Sequence, residues 1–394
     1  MLIRNTFVLV KTEGSSYGVD AAPTATNAVR VRSIEVKPLT GTRIERNLLR
    51  GFGGAGGRTL LTQQHVGLTI ELELSGSGTA GTAPRWGPLL ASGCTAATTT
   101  SSAVTGTAQA GSAGSITLAS GASATDDFYA GMPISITSGT GNGHRGVIVS
   151  YSGTTKVAAV AAYTAAFTPG SSSGYSIAAN VQYRPITTVD GVADTSCTIW
   201  AVKDKNVHKM TGCRLQPVLS GELGDVSILK LEGIGLYSVP VASTGITATF
   251  GAQADATPVE TGTTSALSFM GVGPCLQSWE LNLGVSAMYR SLVGCTEKVH
   301  AERAAATGQV MIEAPEVATT SWYAKALDNT GASDAPFTLQ QGGTAGNIVT
   351  IHCRSVQIND DMEPGDTDGV EMLTVPFMAL PSDSGNDEFR ITVA

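Results

Sequence analysis

The last third of this chain repeats its first third, and the repeat narrows what it can build. Ser33-Ile34-Glu35-Val36-Lys37, a loop with Arg43, Arg46 and Arg50, and Val66-Gly67-Leu68-Thr69-Ile70-Glu71-Leu72-Glu73-Leu74 form one strand, loop, strand unit. Ser278-Trp279-Glu280-Leu281-Asn282-Leu283, a loop with Arg290, Lys298 and Arg303, and Gly308-Gln309-Val310-Met311-Ile312-Glu313 have the same layout. Two more segments recur in order. Gly212-Cys213-Arg214-Leu215-Gln216-Pro217 is answered by His352-Cys353-Arg354-Ser355-Val356-Gln357, and the acidic turn Gly221-Glu222-Leu223-Gly224-Asp225 by Glu363-Pro364-Gly365-Asp366. A module held twice, with no catalytic constellation in either copy, points to symmetric assembly rather than chemistry.

Inside each repeated unit, apolar and polar residues alternate with the period of two that belongs to a strand. Leu68, Ile70, Leu72 and Leu74 make a core face opposite Thr69, Glu71 and Glu73; Trp279, Leu281 and Leu283 do so opposite Glu280 and Asn282. Helical pattern is confined to the neighbourhoods of Trp86–Ala91 and Ser321–Leu327. The expected fold is mainly β, with two tandem barrel or sandwich modules that each carry a short helix. Residues 98–180 have no counterpart in the second copy. Their strand-like runs, at Ser115–Leu118, Met132–Ile136, Gly146–Tyr151 and Lys156–Val160, are separated by Gly- and Pro-rich turns, which predicts a small inserted all-β domain on the outer surface. The modules are then 1–97 with 181–240, and 266–394, joined by a Thr- and Gly-rich linker over 241–265.

Composition removes several function classes. Hydrophobic residues at 42% exclude a disordered chain despite 47 glycines, and a net charge of -8 supplies no basic field for tight nucleic-acid binding. Six cysteines without C-x-x-C spacing read as reduced, mostly buried thiols of a protein made in the cytosol. No apolar run approaches the ~18 residues of a membrane helix, and the start of the chain leads straight into a strand, so neither secretion nor a membrane is expected. Gly51-Phe52-Gly53-Gly54-Ala55-Gly56-Gly57-Arg58 lacks the Gly-Lys-Ser/Thr ending of a phosphate loop. The five histidines stand singly, without metal-ligand spacing. No catalytic residue, metal or cofactor is expected. The row Glu35, Glu71, Glu73, Glu280 and Glu313 reads as a solvated acidic face because it recurs in both modules. The long loop with Arg43, Arg46, Leu48, Leu49, Arg50, Phe52 and Arg58 reads as an adhesive arm that folds against a neighbouring subunit.

The segments that carry the repeat also carry a resemblance. Thr12-Glu13-Gly14-Ser15-Ser16-Tyr17-Gly18-Val19-Asp20-Ala21-Ala22-Pro23-Thr24, then Gly76-Ser77-Gly78-Thr79-Ala80-Gly81-Thr82-Ala83-Pro84-Arg85-Trp86-Gly87-Pro88-Leu89-Leu90, resemble the major tail tube proteins of long-tailed, siphovirus-type bacteriophages. The run His208-Lys209-Met210-Thr211-Gly212-Cys213-Arg214, ahead of a strand ending Gly235-Leu236-Tyr237, is similar to the segment that closes that fold. The resemblance implies a virion protein, assembled in the host cytoplasm, whose β-barrel-like domains form rings that stack into a DNA-conducting tube. It implies that the acidic row faces the lumen and that the arm, over Gly41 to Thr62 with its counterpart Gly284 to Thr307, joins rings. Because the module is duplicated, three chains rather than six would complete a pseudo-sixfold ring. The implied partners are the chain itself, tape-measure, tail-terminator and tail-tip or baseplate proteins, and DNA in non-specific passage, with no membrane. A head-decoration or tail-fibre protein of the virion exterior is the alternative that the β content and the Ser/Thr/Gly-rich insert leave open.

Overall fold

The computed structural model describes residues 5–14, 16–46, 58–162, 168–186, 195–251 and 253–394. The chain opens with β1 (Thr6–Thr12), β2 (Ala28–Val29), β3 (Ser33–Ile44), β4 (Leu60–Glu73), α1 (Gly87–Ala91) and β5 (Thr95–Thr100). Short strands follow: β6 (Val104–Thr107), β7 (Ala110–Ser112), β8 (Ser115–Thr117), β9 (Pro133–Ser138), β10 (Arg145–Tyr151), β11 (Val157–Ala162) and β12 (Gly174–Ile177). Next come β13 (Asn180–Pro185), β14 (Cys197–Lys203), β15 (Asn206–Glu222), β16 (Ile228–Leu236) and β17 (Val241–Ala242). The last third holds β18 (Thr264–Phe269), β19 (Leu276–Asn282), β20 (Val285–Arg290), β21 (Lys298–Arg303), β22 (Thr307–Glu313) and α2 (Trp322–Ala326). It ends with β23 (Ala335–Gln341), β24 (Val349–Ile358), β25 (Glu363–Thr367), β26 (Val370–Ala379) and β27 (Phe389–Val393). The fold is mainly β, as the alternation predicts, and both short helices lie where helical pattern was found.

The pairing of strands repeats as the sequence does. In the first half, one sheet runs β3-β4-β16-β15 and a second runs β1-β14-β15-β17. In the second half, the sheets run β19-β22-β26-β24 and β18-β23-β24-β27, with β25 continuing the line of β24 along β26. The long strands β15 and β24 each serve both sheets of their half. β15 makes its change of sheet near Gly212, whose φ of +59° favours glycine and where a Cβ would lie 2.6 Å from Tyr17 Oη. Between the sheets sit apolar side chains such as Val8, Ile70, Ile199 and Leu231 in the first half and Val310, Phe337, Ile351 and Val375 in the second, all in one continuous core. Each helix start adds a buried tryptophan to it: Trp86, just before α1 and tilted against Tyr183, and Trp322, the first residue of α2 and tilted against Phe269.

Two details of the repeat differ from expectation. Glu363-Pro364-Gly365-Asp366 is not the counterpart of the turn at 221–225 but part of β25; the chain reverses at Asp368-Gly369, both with positive φ. A two-residue Asp-Gly reversal suits a tight hairpin, whereas Gly365 sits within a paired strand. The expected loops are also shorter than the sequence implies. β3 and β4 stay paired out to Ile44 and Leu60, because Thr40, Thr42 and Ile44 continue a strand-forming pattern beyond the core. Within Gly284 to Thr307 the chain forms the β20–β21 hairpin, paired from Val285↔Arg303 to Arg290↔Lys298.

Strands β6 to β12 make a separate seven-stranded sheet around their own core, including Ile116, Leu118, Ile134, Ile148 and Tyr175. Its entry and exit strands, β5 and β13, pair with each other, and β13 then pairs with β27. So β5 and β13, the strands that bracket the insert, interrupt the first half in sequence yet extend a sheet of the second half in space. Polar groups tie the insert there. Arg390 on β27 donates to the carbonyls of Asp127 and Ala130, and Gln182 Nε2 donates to Ala130 O at 2.8 Å and to Thr392 Oγ1 at 3.1 Å. The stretch 241–265 runs along both halves: Thr249 N and Ala254 N donate to Ala25 O and Gly76 O of the first, and Asp255 O accepts from Asn347 Nδ2 of the second at 2.9 Å.

Candidate functional site

The two halves meet by strand pairing, which makes a single surface of their acidic faces. Val218–Glu222 of β15 pairs antiparallel with Ser278–Asn282 of β19, so β3-β4-β16-β15-β19-β22-β26-β25 is one continuous sheet. Gly221 lies at the seam, where a Cβ would fall 2.5 Å from Trp279 Nε1 and from Ser227 Oγ. On the face away from the core, cross-strand neighbours form rows. One row reads Glu35, Thr69, Glu232, Gln216; another reads Ser33, Glu71, Lys230, Val218, Asn282, Thr307. A third reads Glu73, Ile228, Ser220, Glu280, Gln309.

The structure thus places Glu35, Glu71, Glu73, Glu280 and Glu313 on one face of one sheet, with Glu35, Glu73 and Glu313 exposed and Glu71 and Glu280 half-buried. Glu71 accepts a hydrogen bond from Ser33 Oγ at 3.0 Å. The face also carries Glu222, Glu232 and Glu363, which periodicity alone did not single out because two of them lie in segments read as turns. Of the cations there, Lys230 is held 2.8 Å from Glu232, and its pKa is raised first by that hydrogen bond and further by the charges of Glu232, Glu71 and Glu280. A depression of about 390 Å³ lies over the seam, with Glu222, Glu280, Gln309, Met311 and Glu363 on its walls. A row of carboxylates with few cations beside it repels anions. Among the described residues, no group of three or more His, Cys, Asp and Glu is arranged to hold a metal ion.

The arm residues fall in two places. Arg43 lies on β3, and Arg46 and Arg58 border the segment 47–57, all three exposed, whereas Leu48, Leu49, Arg50 and Phe52 lie outside the described residues. The counterpart hairpin β20–β21 is docked on the first half. Val299 N donates to Tyr17 Oη at 2.6 Å, and the rings of Tyr289 and His65 stack 5.0 Å apart. Arg303 turns back instead to pair with Glu388 and to reach Asn386.

Sequence reasoning missed the residues that set this geometry. Glu13 is buried, and its carboxylate accepts from Gly18 N (2.8 Å), Ser196 Oγ (2.6 Å), Thr198 Oγ1 (2.9 Å) and Gly212 N (2.6 Å). It fastens the loop after β1 to β14 and to the bend of β15. A lone acid in a polar loop gives no periodic signal. Four of the free cysteines, Cys94, Cys197, Cys213 and Cys353, are buried, while Cys275 and Cys295 are exposed. Burial, then the neighbouring Cys197, pushes the Cys213 thiol well above its ordinary value. No helix is long and apolar enough to cross a membrane among the described residues. No protein family and no curated protein matches the chain.

Proposed function

We propose that this chain is a structural virion protein whose copies close into rings and stack into the tail tube of a long-tailed bacteriophage, the conduit for genome delivery. The observation that carries the reading is the β15–β19 seam. It joins the last strand of one inner sheet to the first strand of the next, and among the described residues the outer sides of β3 and β25 have no partner strand. These free strands occupy the same places in their halves as the two that meet at the seam. Unpaired edges are normally blunted or covered, and here a second copy offers the matching edge. A head-to-tail contact of this kind closes into a ring when its rotation divides the circle.

Three chains then give six modules and about 24 strands, which at ~4.8 Å spacing and ~40° tilt enclose a ring roughly 48 Å across the backbone. Such a lumen admits a DNA duplex. Glutamates facing it deny the phosphates the cation contacts that release counterions and create grip. Tape-measure, terminator and tail-tip proteins would occupy the lumen and the ends. Mass measurement of purified assemblies with averaged end views tests the reading: three chains per six-lobed hollow ring is expected. Solid rods, discrete particles or monomers would overturn it and favour a fibre or decoration role.

A further inference from the structure

Strand register sets two cysteines against each other. Cys197, the first residue of β14, is the direct partner of Cys213 on β15, and both are fully buried. Directly opposed residues of an antiparallel pair have Cα atoms about 4.5–5.5 Å apart, inside the span of roughly 4.4–6.8 Å that a disulfide bridges. The Cys213 thiol is already hydrogen-bonded to the Cys197 side chain. One carboxylate pins the two backbones at this point. Glu13 accepts from Ser196 Oγ and Thr198 Oγ1, on either side of Cys197, and from Gly212 N, next to Cys213.

The second half supplies a built-in contrast. Cys353 on β24 stands where Cys213 stands on β15, but its partner on β23 is Phe337 and its partner on β27 is Phe389. Packing at this position of the module is therefore met by a cysteine facing an aromatic ring, and does not by itself call for two thiols. Among the described residues, no other two cysteines are partners across strands.

We propose that Cys197 and Cys213 are a disulfide-forming site, held as two thiols in reducing surroundings and closed by exchange with a low-molecular-weight disulfide in oxidising ones. The thiolate of one cysteine attacks a sulfur of the small disulfide, forming a mixed disulfide and releasing one small thiol. The thiolate of the other then attacks the protein sulfur of that intermediate, forming the Cys197–Cys213 bond and releasing the second small thiol. The two cysteines give up two electrons and two protons, and both end on the released thiols. Because both sulfurs are buried, the exchange waits on opening of the start of β14 and is slow in the intact fold. Once formed, the bond fixes β14 to β15 one residue from Gly212, whose carbonyl accepts from Tyr17 Oη, the same oxygen that accepts from Val299 N of the β20–β21 hairpin. The cross-link would thus stiffen the point at which the second half docks on the first, whether or not the chain forms rings.

The test uses the full-length chain with its exposed cysteines replaced, Cys275→Ser with Cys295→Ser, so that they cannot link one chain to another. The protein is incubated with oxidised glutathione, in buffer and in urea below the unfolding transition, then read by intact mass, peptide mapping and thermal denaturation. A peptide holding Cys197 should be found joined to one holding Cys213, with the chain lighter by two hydrogens, Cys94 and Cys353 still thiols, and closure faster in urea. Closing a loop of ~15 residues should raise the melting temperature by about 5 °C, and dithiothreitol should reverse the rise. Cys197→Ser and Cys213→Ser should each abolish the link and the rise, whereas Cys353→Ser should keep both. A lasting glutathione adduct on either cysteine, a link to Cys94 or Cys353 instead, or two unreacted thiols after incubation in urea would overturn the proposal. Should a serine variant not fold, the peptide map of the chain that retains both cysteines still decides.

Discussion

At the scale of single residues, buried polar groups hold the sandwich in register. Glu13 satisfies two backbone N–H groups and two hydroxyls at once, so Glu13→Ala would strand those donors in a dry site. The expected loss is about 3 kcal/mol, with Glu13→Gln milder, and thermal denaturation of the two variants checks the order. His352 is a second such point. It is fully buried beside Thr338, and burial, then the charges of Arg390 and Arg354, lowers its pKa from 6.5 to about 3. Below pH 6.5 the unfolded chain takes up a proton that the folded chain refuses. The stability that His352 contributes is therefore complete above that pH and falls by ~1.4 kcal/mol per unit as pH drops toward 3. In denaturant titrations at stepped pH, His352→Gln should flatten the slope in this window; an unchanged slope would assign it to other groups.

At the scale of elements, the seam between β15 and β19 is the joint on which the surface depends. Gly221 packs without a side chain against Trp279 and Ser227. Gly221→Val places a branched side chain where the two strands must approach. It should open the seam while the β13–β27 pairing and the shared core still hold the two halves together. Limited proteolysis should then cut the stretch between β17 and β18 faster than in the wild type; equal resistance would show that the seam tolerates the branch. The two hairpin arms illustrate how context decides an element's state. β20–β21 is packed against Tyr17 and His65, while the end of β3–β4 stays exposed on both faces. An isolated two-stranded ribbon gains little stability by itself, so the packing of β20–β21 on Tyr17 and His65 supplies what the end of β3–β4 lacks.

At the scale of the whole molecule, charge and symmetry combine. If the acidic face lines a channel, Glu71→Lys with Glu73→Lys keeps the core intact, because both side chains point away from it. Assembly should proceed, and each ring should now offer phosphate-binding sites. Such tubes should retain short duplex DNA at low salt and release it as salt rises, with no retention by the wild type. Failure of the variant tubes to retain DNA would falsify the lumen assignment. The inserted sheet bears on assembly through its attachment. Arg390 and Gln182 tie it to the second half, so any ring must hold the inserts at a fixed angle to the second module rather than on a free tether.

The strand and helix types, the duplication and the acidic rows were legible in the sequence because each is local. Alternation such as Leu68-Thr69-Ile70-Glu71 states which side chain faces the core without reference to any distant residue. Several features came only from tertiary structure. That Glu35 and Glu280 share one face depends on β15 pairing with β19, a contact between residues about sixty apart in sequence with no local signature. The same holds for the union of β13 with β27, which fastens the insert to the half it does not interrupt. The position of the second reversal turned on a choice between Gly365 and Asp368-Gly369 that only strand register could make. Periodicity fixes the face of a strand; which strands become neighbours is set by edges, glycines and buried polar groups that meet only when the chain is folded.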